Sequence, residues 1–184
     1  SGYRVLGGYK QARVPENVHV ADGKLVITTR KETLPQYTYA HDWTTGCVWT
    51  KEQYGPHGYY ETRMKLAYAS GLHQSFWAAG GPEKYTPTGL NHVELDFCEA
   101  RWPRCVSTAL HHISSDGSNR RVYKSARYYP LGKDPDGNTL TLEPPTLGDD
   151  FHTYSGLFLP NDPSGDWEDP VNSDTFQVFW DGVQ

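Results

Sequence analysis

The chain of 184 residues lacks the features of several common protein classes. It has no run of 18 apolar residues, which a membrane-spanning helix would need, and no signal peptide is visible at Ser1. Lys and Arg number 17 against 22 Asp and Glu, so the net charge is −5 and no broad basic surface is available for phosphates. We therefore expect the protein to bind neither a membrane nor a nucleic acid. We also predict that it is a monomer.

Cysteine is also scarce, with three residues at positions 47, 98 and 105. None forms a CxxC pair, and none is spaced from histidine as in a zinc site, which argues against zinc-stabilised folds. At most one disulfide can form. By separation it would join Cys98 to Cys105, while three buried thiols are an equally good interpretation.

No long helical period is present, and short alternating segments bounded by turn residues recur instead. Aromatic residues make up 14% of the chain, and 18 Gly and 13 Pro supply the turns, a pattern typical of an all-β sandwich or barrel. The segment GYYETRMKLA (58–67) has one polar and one mostly apolar face, as a two-faced sheet requires. Without an internal repeat or a linker, residues 1–184 are predicted to form one domain.

The segment VELDFCEA (93–100) places three carboxylates on what otherwise reads as a buried strand. In a regular strand Glu94 and Asp96 share one face, but Glu99 falls on the apolar face with Leu95 and Phe97. A buried unpaired charge costs several kcal/mol. One extra residue, a β-bulge at about position 97 or 98, would return Glu99 to the face of the other two acids. An exposed edge strand with merely solvated acids is the alternative.

Paired carboxylates can divide the work of glycoside hydrolysis between a nucleophile and an acid/base, about 5–5.5 Å apart in a retaining mechanism. Asp96 between the two glutamates could share a proton with Glu94 and hold Glu99 protonated. A metal site built from Glu94, Asp96 and His111 is a weaker alternative, because no ligand spacing in the sequence singles it out. We therefore predict no metal at this site.

VELDFCEA resembles the ExDxxE signature of glycoside hydrolase family 16, and the resemblance extends through GYYETRMKL, SFW, DFHTYSGLFLP and FQVFWDG. It implies a concanavalin A-like β-jelly-roll sandwich of two curved antiparallel sheets with a cleft on the concave face. It also implies that no cofactor is required, although a structural calcium ion is compatible with the family. Because the family continues with further strands after the strand FWDG, the resemblance implies that this chain, which ends at Gln184, lacks the last strands of the sandwich.

The resemblance assigns roles to individual residues of the ExDxxE motif. By the match, Glu94 is the nucleophile, Asp96 assists it, and Glu99 is the general acid/base. A sugar-binding cleft also needs aromatic platforms and polar groups. The candidates for substrate binding are Glu61, Arg63, Trp77, His92, Trp102 and His111.

The sequence thus predicts a secreted or cell-surface retaining endo-glycosidase acting on a β-linked polysaccharide, with glucan and galactan both open. A carbohydrate-binding module or lectin on the same sandwich is the main alternative, and a polysaccharide lyase is a lesser one. A binding module has no need of three carboxylates on one strand, and this favours the enzyme.

Overall fold

The structure of the protein is a computed structural model. It describes residues 11–32, 42–52, 54, 57–67, 69, 72–80, 92–102, 105–113, 119–123, 127–128, 132–133, 139–140, 148, 150–159 and 175–182. By its internal contacts the chain divides into two compact units, Ser1–Tyr54 and Gly55–Gln184. The assignment of all 184 residues to a single catalytic domain stays a prediction.

Within the described residues the N-terminal unit contains five short strands and one turn of 3-10 helix, Pro15–Asn17. The strands are β1 (Gln11–Arg13), β2 (Val18–Ala21), β3 (Lys24–Ile27), β4 (Arg30–Lys31) and β5 (Trp43–Thr45). The larger unit contains β6 (Gly58–Met64), β7 (Gln74–Gly80), β8 (His92–Trp102), β9 (Cys105–Ile113), β10 (Asn119–Tyr123), β11 (Arg127–Tyr128), β12 (Gly132–Lys133), β13 (Thr139–Leu140), β14 (His152–Leu159) and β15 (Thr175–Trp180).

The N-terminal unit is built from a three-stranded sheet, ordered β1-β5-β4, and a β2-β3 hairpin. The hairpin turns at Asp22 and Gly23, both with positive φ, as a two-residue Asp-Gly turn requires. Strands β1 and β5 pair in parallel, whereas the other strand pairs among the described residues are antiparallel. Buried Asn17 donates a hydrogen bond of 2.8 Å from Nδ2 to Thr44 Oγ1, which in turn donates to Glu32.

In the larger unit two antiparallel sheets pack face to face, and β12 and β13 form a separate antiparallel pair. The first sheet is ordered β10-β9-β8-β7, with β11 also paired to β9, and the second is ordered β15-β14-β6. Phe97 of the first sheet stacks on Tyr60 of the second at 5.0 Å between ring centroids and lies 5.9 Å from Phe176. Leu95 and Phe158 are buried in the same cluster. This is the sandwich that the alternating segments predicted.

Gly156 of the second sheet lies directly against the ring of Phe97 in the first sheet. A Cβ atom at this position would overlap the Phe97 ring and lie 3.3 Å from the carbonyl oxygen of Gln177. Because Phe97 is only 1% exposed, its ring has little room to move away. The glycine therefore sets the spacing between the two sheets.

We expect Gly156→Ala to lower the free energy of unfolding by about 1–3 kcal/mol, the usual cost of overpacking a core. Urea unfolding measures the change. In a Phe97→Leu background the added methyl meets a smaller neighbour, so the same substitution should cost less. An equal cost in both backgrounds would contradict the contact described above.

Cys98 is a free thiol that lies in the core between the two sheets, so a bridge between Cys98 and Cys105 is ruled out. Cys47 is also free but only partly buried, and the side chain of Cys105 lies outside the described residues. Burial raises the pKa of the Cys98 thiol far above its ordinary value, and the charge of Glu99 raises it further. Cys98 therefore stays protonated in the folded protein.

This buried thiol predicts a loss of stability in alkali. Below about pH 8.5 both states hold the proton, and above it the thiol ionises only in the unfolded chain. Unfolding should then become easier by up to about 1.4 kcal/mol for each further pH unit. Burial likewise raises the pKa of Tyr154, whose contribution begins near pH 10. Urea titrations from pH 7 to 10 should show a weaker decline between pH 8.5 and 10 for Cys98→Ala, and identical declines would contradict the assignment.

Candidate active site

The catalytic strand predicted from VELDFCEA is β8, and it contains the expected bulge. Along β9, Asp96 is opposite Ala109 and Glu99 is opposite Ser107, so two residues of β8 face one residue of its partner. Along β7, Trp77 is opposite Asp96 and Phe76 is opposite Cys98, which leaves Phe97 as the extra residue. The prediction of a bulge at position 97 or 98 is confirmed.

The bulge turns two successive side chains, Phe97 and Cys98, into the core. Both are essentially inaccessible to solvent, at 1% and 0% exposure, and they belong to the two neighbouring core clusters. The alternation then resumes, because Ala100 is buried again. Glu99 is therefore restored to the outer face of the first sheet, the face of Glu94 and Asp96. We call this surface the acidic face.

The three carboxylates differ in their exposure to water. Asp96 is 4% exposed, whereas Glu94 and Glu99 are half-buried. A carboxylate that is almost fully buried needs a charged or hydrogen-bonding partner. Asp96 has one in His111, whose Nε2 lies 3.3 Å from Asp96 Oδ2. Electrostatic support of this carboxylate therefore comes from the neighbouring strand β9.

His111 belongs to the acidic face because it is directly opposite Glu94 in the β8-β9 ladder. Donor atoms of Glu94, Asp96 and His111 all lie within 4.8 Å of one another. Two carboxylates and an imidazole can bind a divalent cation, and the same set can also serve acid-base chemistry without one. The structure thus brings Glu94, Asp96 and His111 together, although their spacing in the sequence did not indicate that they are close.

His73 is a member of the site that sequence reasoning missed. Its Nε2 lies 2.9 Å from Glu99 Oε1, and the two side chains are 28% and 12% exposed. Ser75 is opposite Glu99 in the β7-β8 ladder, and His73 precedes it by two residues. Alternation in HQSFW could have indicated that His73, Ser75 and Trp77 share a face, had the pairing of β7 with β8 been known.

The remaining aromatic candidates are divided between described and undescribed side chains. Trp77 is half-buried and lies opposite Asp96, which puts it on the acidic face as expected of a sugar platform. His92 and Trp102 are the first and last residues of β8, and their side chains lie outside the described residues. Their contact with substrate stays a prediction, as does that of Trp77.

Glu61 and Arg63 are on β6, so the structure does not bring them together with the carboxylates of β8, and their contact with substrate stays a prediction. Strand β6 belongs to the second sheet, and the alternation of its burial leaves both side chains exposed. Glu61 accepts a 2.5 Å hydrogen bond from the Tyr59 hydroxyl, and the Arg63 guanidinium lies 5.1 Å from the Phe151 ring centroid. The apolar face of β6 packs on Phe97, so its polar face must point away from the acidic face.

Comparison with solved structures identifies the architecture. The catalytic domain of an endo-1,3-beta-glucanase (laminarinase) from Thermotoga petrophila RKU-1 superposes with a TM-score of 0.65 and 23% identity, over 95% of this chain and 60% of that one. The fold is that of a laminarinase catalytic domain. The predicted jelly-roll class is therefore confirmed.

Two further laminarinase-type structures agree. The laminarinase catalytic domain from Thermotoga maritima MSB8 gives a TM-score of 0.61 at 24% identity, covering 96% of this chain and 61% of that one. The endo-beta-1,3-glucanase from Pyrococcus furiosus gives 0.64 at 23%, covering 96% and 59%. The chain thus spans about 60% of the length of these laminarinase-fold chains.

Sequence comparison gives a shorter match. A "Beta-glucanase" from Acetivibrio thermocellus is 32% identical over 83 residues, which are 45% of this chain and 23% of that protein. No protein-family model matches the chain. The similarities are therefore to laminarinase catalytic domains in fold and to a beta-glucanase over part of the sequence, in agreement with the resemblance predicted above.

Among the described residues no helix is long and apolar enough to cross a membrane.

Proposed function

We propose that this chain carries the active site of a retaining endo-glycosidase that hydrolyses internal linkages of a β-glucan. The observation that supports this most directly is the bulge in β8, which aligns Glu94, Asp96 and Glu99 on one face. A strand that served only to build the sandwich would gain nothing from a half-buried acidic row. Two glutamates flanking a shared carboxylate suit double displacement.

In the first step of the proposed reaction, a carboxylate oxygen of Glu94 attacks the anomeric carbon. Glu99 donates its proton to the glycosidic oxygen as the bond to the leaving sugar breaks, giving a covalent glycosyl-enzyme. In the second step Glu99, now a carboxylate, takes a proton from water as the water oxygen attacks the same carbon. Glu94 is released and Glu99 is protonated again, so the site returns to its starting state.

Asp96 and His111 support the nucleophile in this proposal. Asp96 is nearly buried beside Glu94, and His111 lies 3.3 Å from its Oδ2. An imidazole N–H in this position can donate a hydrogen bond to the nearly buried carboxylate of Asp96, which would otherwise lack water to solvate it. The pair therefore orders the side chains beside Glu94, the proposed nucleophile.

We propose a β-1,3-linked glucan as the substrate, in preference to a galactan. The names of the three structural neighbours and of the sequence relative support a glucan. Trp77 on the acidic face supplies an apolar plane against which a sugar ring can stack. Because such polymers lie outside cells, the proposal includes secretion or display at the cell surface.

Product analysis on laminarin, lichenan, agarose, carrageenan and porphyran tests the proposal. We expect new reducing ends from laminarin, fewer from lichenan, and none from the three galactans. Unsaturated ends would instead indicate a lyase, and binding without products would indicate a carbohydrate-binding module. Turnover of a galactan with no turnover of laminarin would contradict the substrate assignment.

We also expect hydrolysis to continue after treatment with EDTA, because every proton transfer above uses a side chain. The rate on laminarin and the melting temperature should be measured on the same chelated sample. A fall in melting temperature at an unchanged rate would indicate the structural calcium that the family allows. Loss of turnover that returns with added Zn²⁺ or Mn²⁺ would show that Glu94, Asp96 and His111 hold a catalytic metal.

A further inference from the structure

The hydrogen bond between His73 and Glu99 has no role in the reaction as written above. We infer that His73 is a positioning residue for the acid/base, an inference that rests on the proposed function. Its Nε2 lies 2.9 Å from Glu99 Oε1, which is hydrogen-bonding distance for a nitrogen and a carboxyl oxygen. The contact holds one carboxyl oxygen and so restricts the orientations that the group can adopt.

Glu99 needs such a partner because its position on β8 leaves its side chain free to adopt several conformations. It is the first outward residue after the bulge, and a glutamate side chain has three rotatable bonds that must be ordered before proton transfer. Proton donation works only when the carboxyl lies within hydrogen-bond reach of the glycosidic oxygen. A carboxyl anchored through one oxygen explores fewer orientations, so more molecules are ready to react.

His73 itself is anchored by its neighbour in the chain. The Gln74 side chain forms two hydrogen bonds to Ala67, accepting from its backbone N–H at 2.6 Å and donating to its carbonyl oxygen at 3.0 Å. These bonds fix the start of β7 to the segment that follows β6. His73 is thus presented from a braced backbone, although it lies just outside the strand.

His73 and His111 contact different carboxylates of the acidic face. His111 contacts Asp96, on the nucleophile side of the bulge, and His73 contacts Glu99 on the other. The role assigned to His73 therefore concerns the proton transfers made by Glu99, and kcat/KM reports the first of them, the protonation of the leaving group. This separation makes the inference testable with two substrates that differ in their leaving group.

The test compares kcat/KM of wild type, His73→Ala and His73→Gln on a β-1,3-glucan oligosaccharide and on a 2,4-dinitrophenyl β-glucoside of the same series. Departure of a sugar requires a proton from Glu99, whereas dinitrophenolate leaves without one. We expect His73→Ala to lose about 10- to 100-fold on the oligosaccharide and less than about threefold on the aryl glycoside. His73→Gln retains a donor and should recover part of the loss.

Two controls separate positioning from a structural role. Glu99→Ala should show the same pattern with a larger loss, and His19→Ala, an exposed histidine on β2, should match wild type on both substrates. Equal losses on the two substrates, or no loss on either, would overturn the inference while leaving the proposed function in place. Failure of wild type to cleave either substrate would overturn the proposed function and the inference with it.

Discussion

Glu94→Gln is expected to reduce kcat/KM on laminarin by about 10⁴-fold or more, the scale seen when a covalent nucleophile is removed. The amide is nearly the same size as the carboxylate but cannot form the glycosyl-enzyme. Because Glu94 is half-buried on the outer face and away from the core, the fold should be unchanged. Initial rates, circular dichroism and laminarin affinity should be measured together.

Glu61→Gln is the matched control, since it makes the same chemical change on an exposed residue of the second sheet. We expect its rate to equal that of wild type. Retention of more than a few per cent of wild-type activity by Glu94→Gln would contradict the nucleophile assignment. A large loss in Glu61→Gln would contradict its placement away from the acidic face.

Phe97→Ala is expected to lower the free energy of unfolding by about 3–5 kcal/mol, a large share of the stability of a typical domain. The ring is 1% exposed and packs between Tyr60, Phe76 and Phe176. Its removal leaves a cavity that neighbours on two sheets cannot fill. Urea unfolding followed by tryptophan fluorescence measures the loss.

The same substitution should also lower activity, because Phe97 is the extra residue of the bulge that aims Glu99 outward. Phe97→Leu should cost less than Phe97→Ala, and Tyr59→Ala, on an exposed ring of β6, should cost less than about 1 kcal/mol. A loss from Phe97→Ala no larger than that from Tyr59→Ala would contradict the packing described above. Full activity in a destabilised Phe97→Ala variant would show that the side chain of Phe97 at the bulge is not needed to position Glu99 for catalysis.

The bulge in β8 could be predicted from eight residues because the alternative was physically expensive. A regular strand would have driven Glu99 into the core, and no partner for it was visible in the sequence. The fold resolves the conflict by burying Phe97 and Cys98 together. A strong energetic conflict within one strand therefore indicates where the backbone must depart from regular geometry.

The placement of β6 could not be predicted in the same way. Alternation in GYYETRMKL shows that one face of the strand is polar, but it does not indicate which sheet contains the strand. The resemblance places Glu61 and Arg63 in the cleft, whereas pairing of β6 with β14 puts them on the second sheet. The pairing of β6 with the distant strand β14 determines which sheet holds these residues, and the sequence of a single strand does not indicate its partner.

His73 and the parallel β1-β5 pair were missed because their segments are short or irregular. His73 lies just before β7, where no periodic pattern exists, and its partner Glu99 is 26 residues away. Strands β1 and β5 are three residues each, too short for alternation to be read. Their contacts depend on neighbouring elements that the local sequence does not specify.

The most direct test of the central proposal is to follow hydrolysis of a β-1,3-glucan oligosaccharide by proton NMR and identify the anomer released first. Retention by Glu94 and Glu99 predicts the β anomer, which converts to the equilibrium mixture only afterwards by mutarotation. Initial release of the α anomer would mean a single displacement by water, and would contradict a covalent intermediate on Glu94.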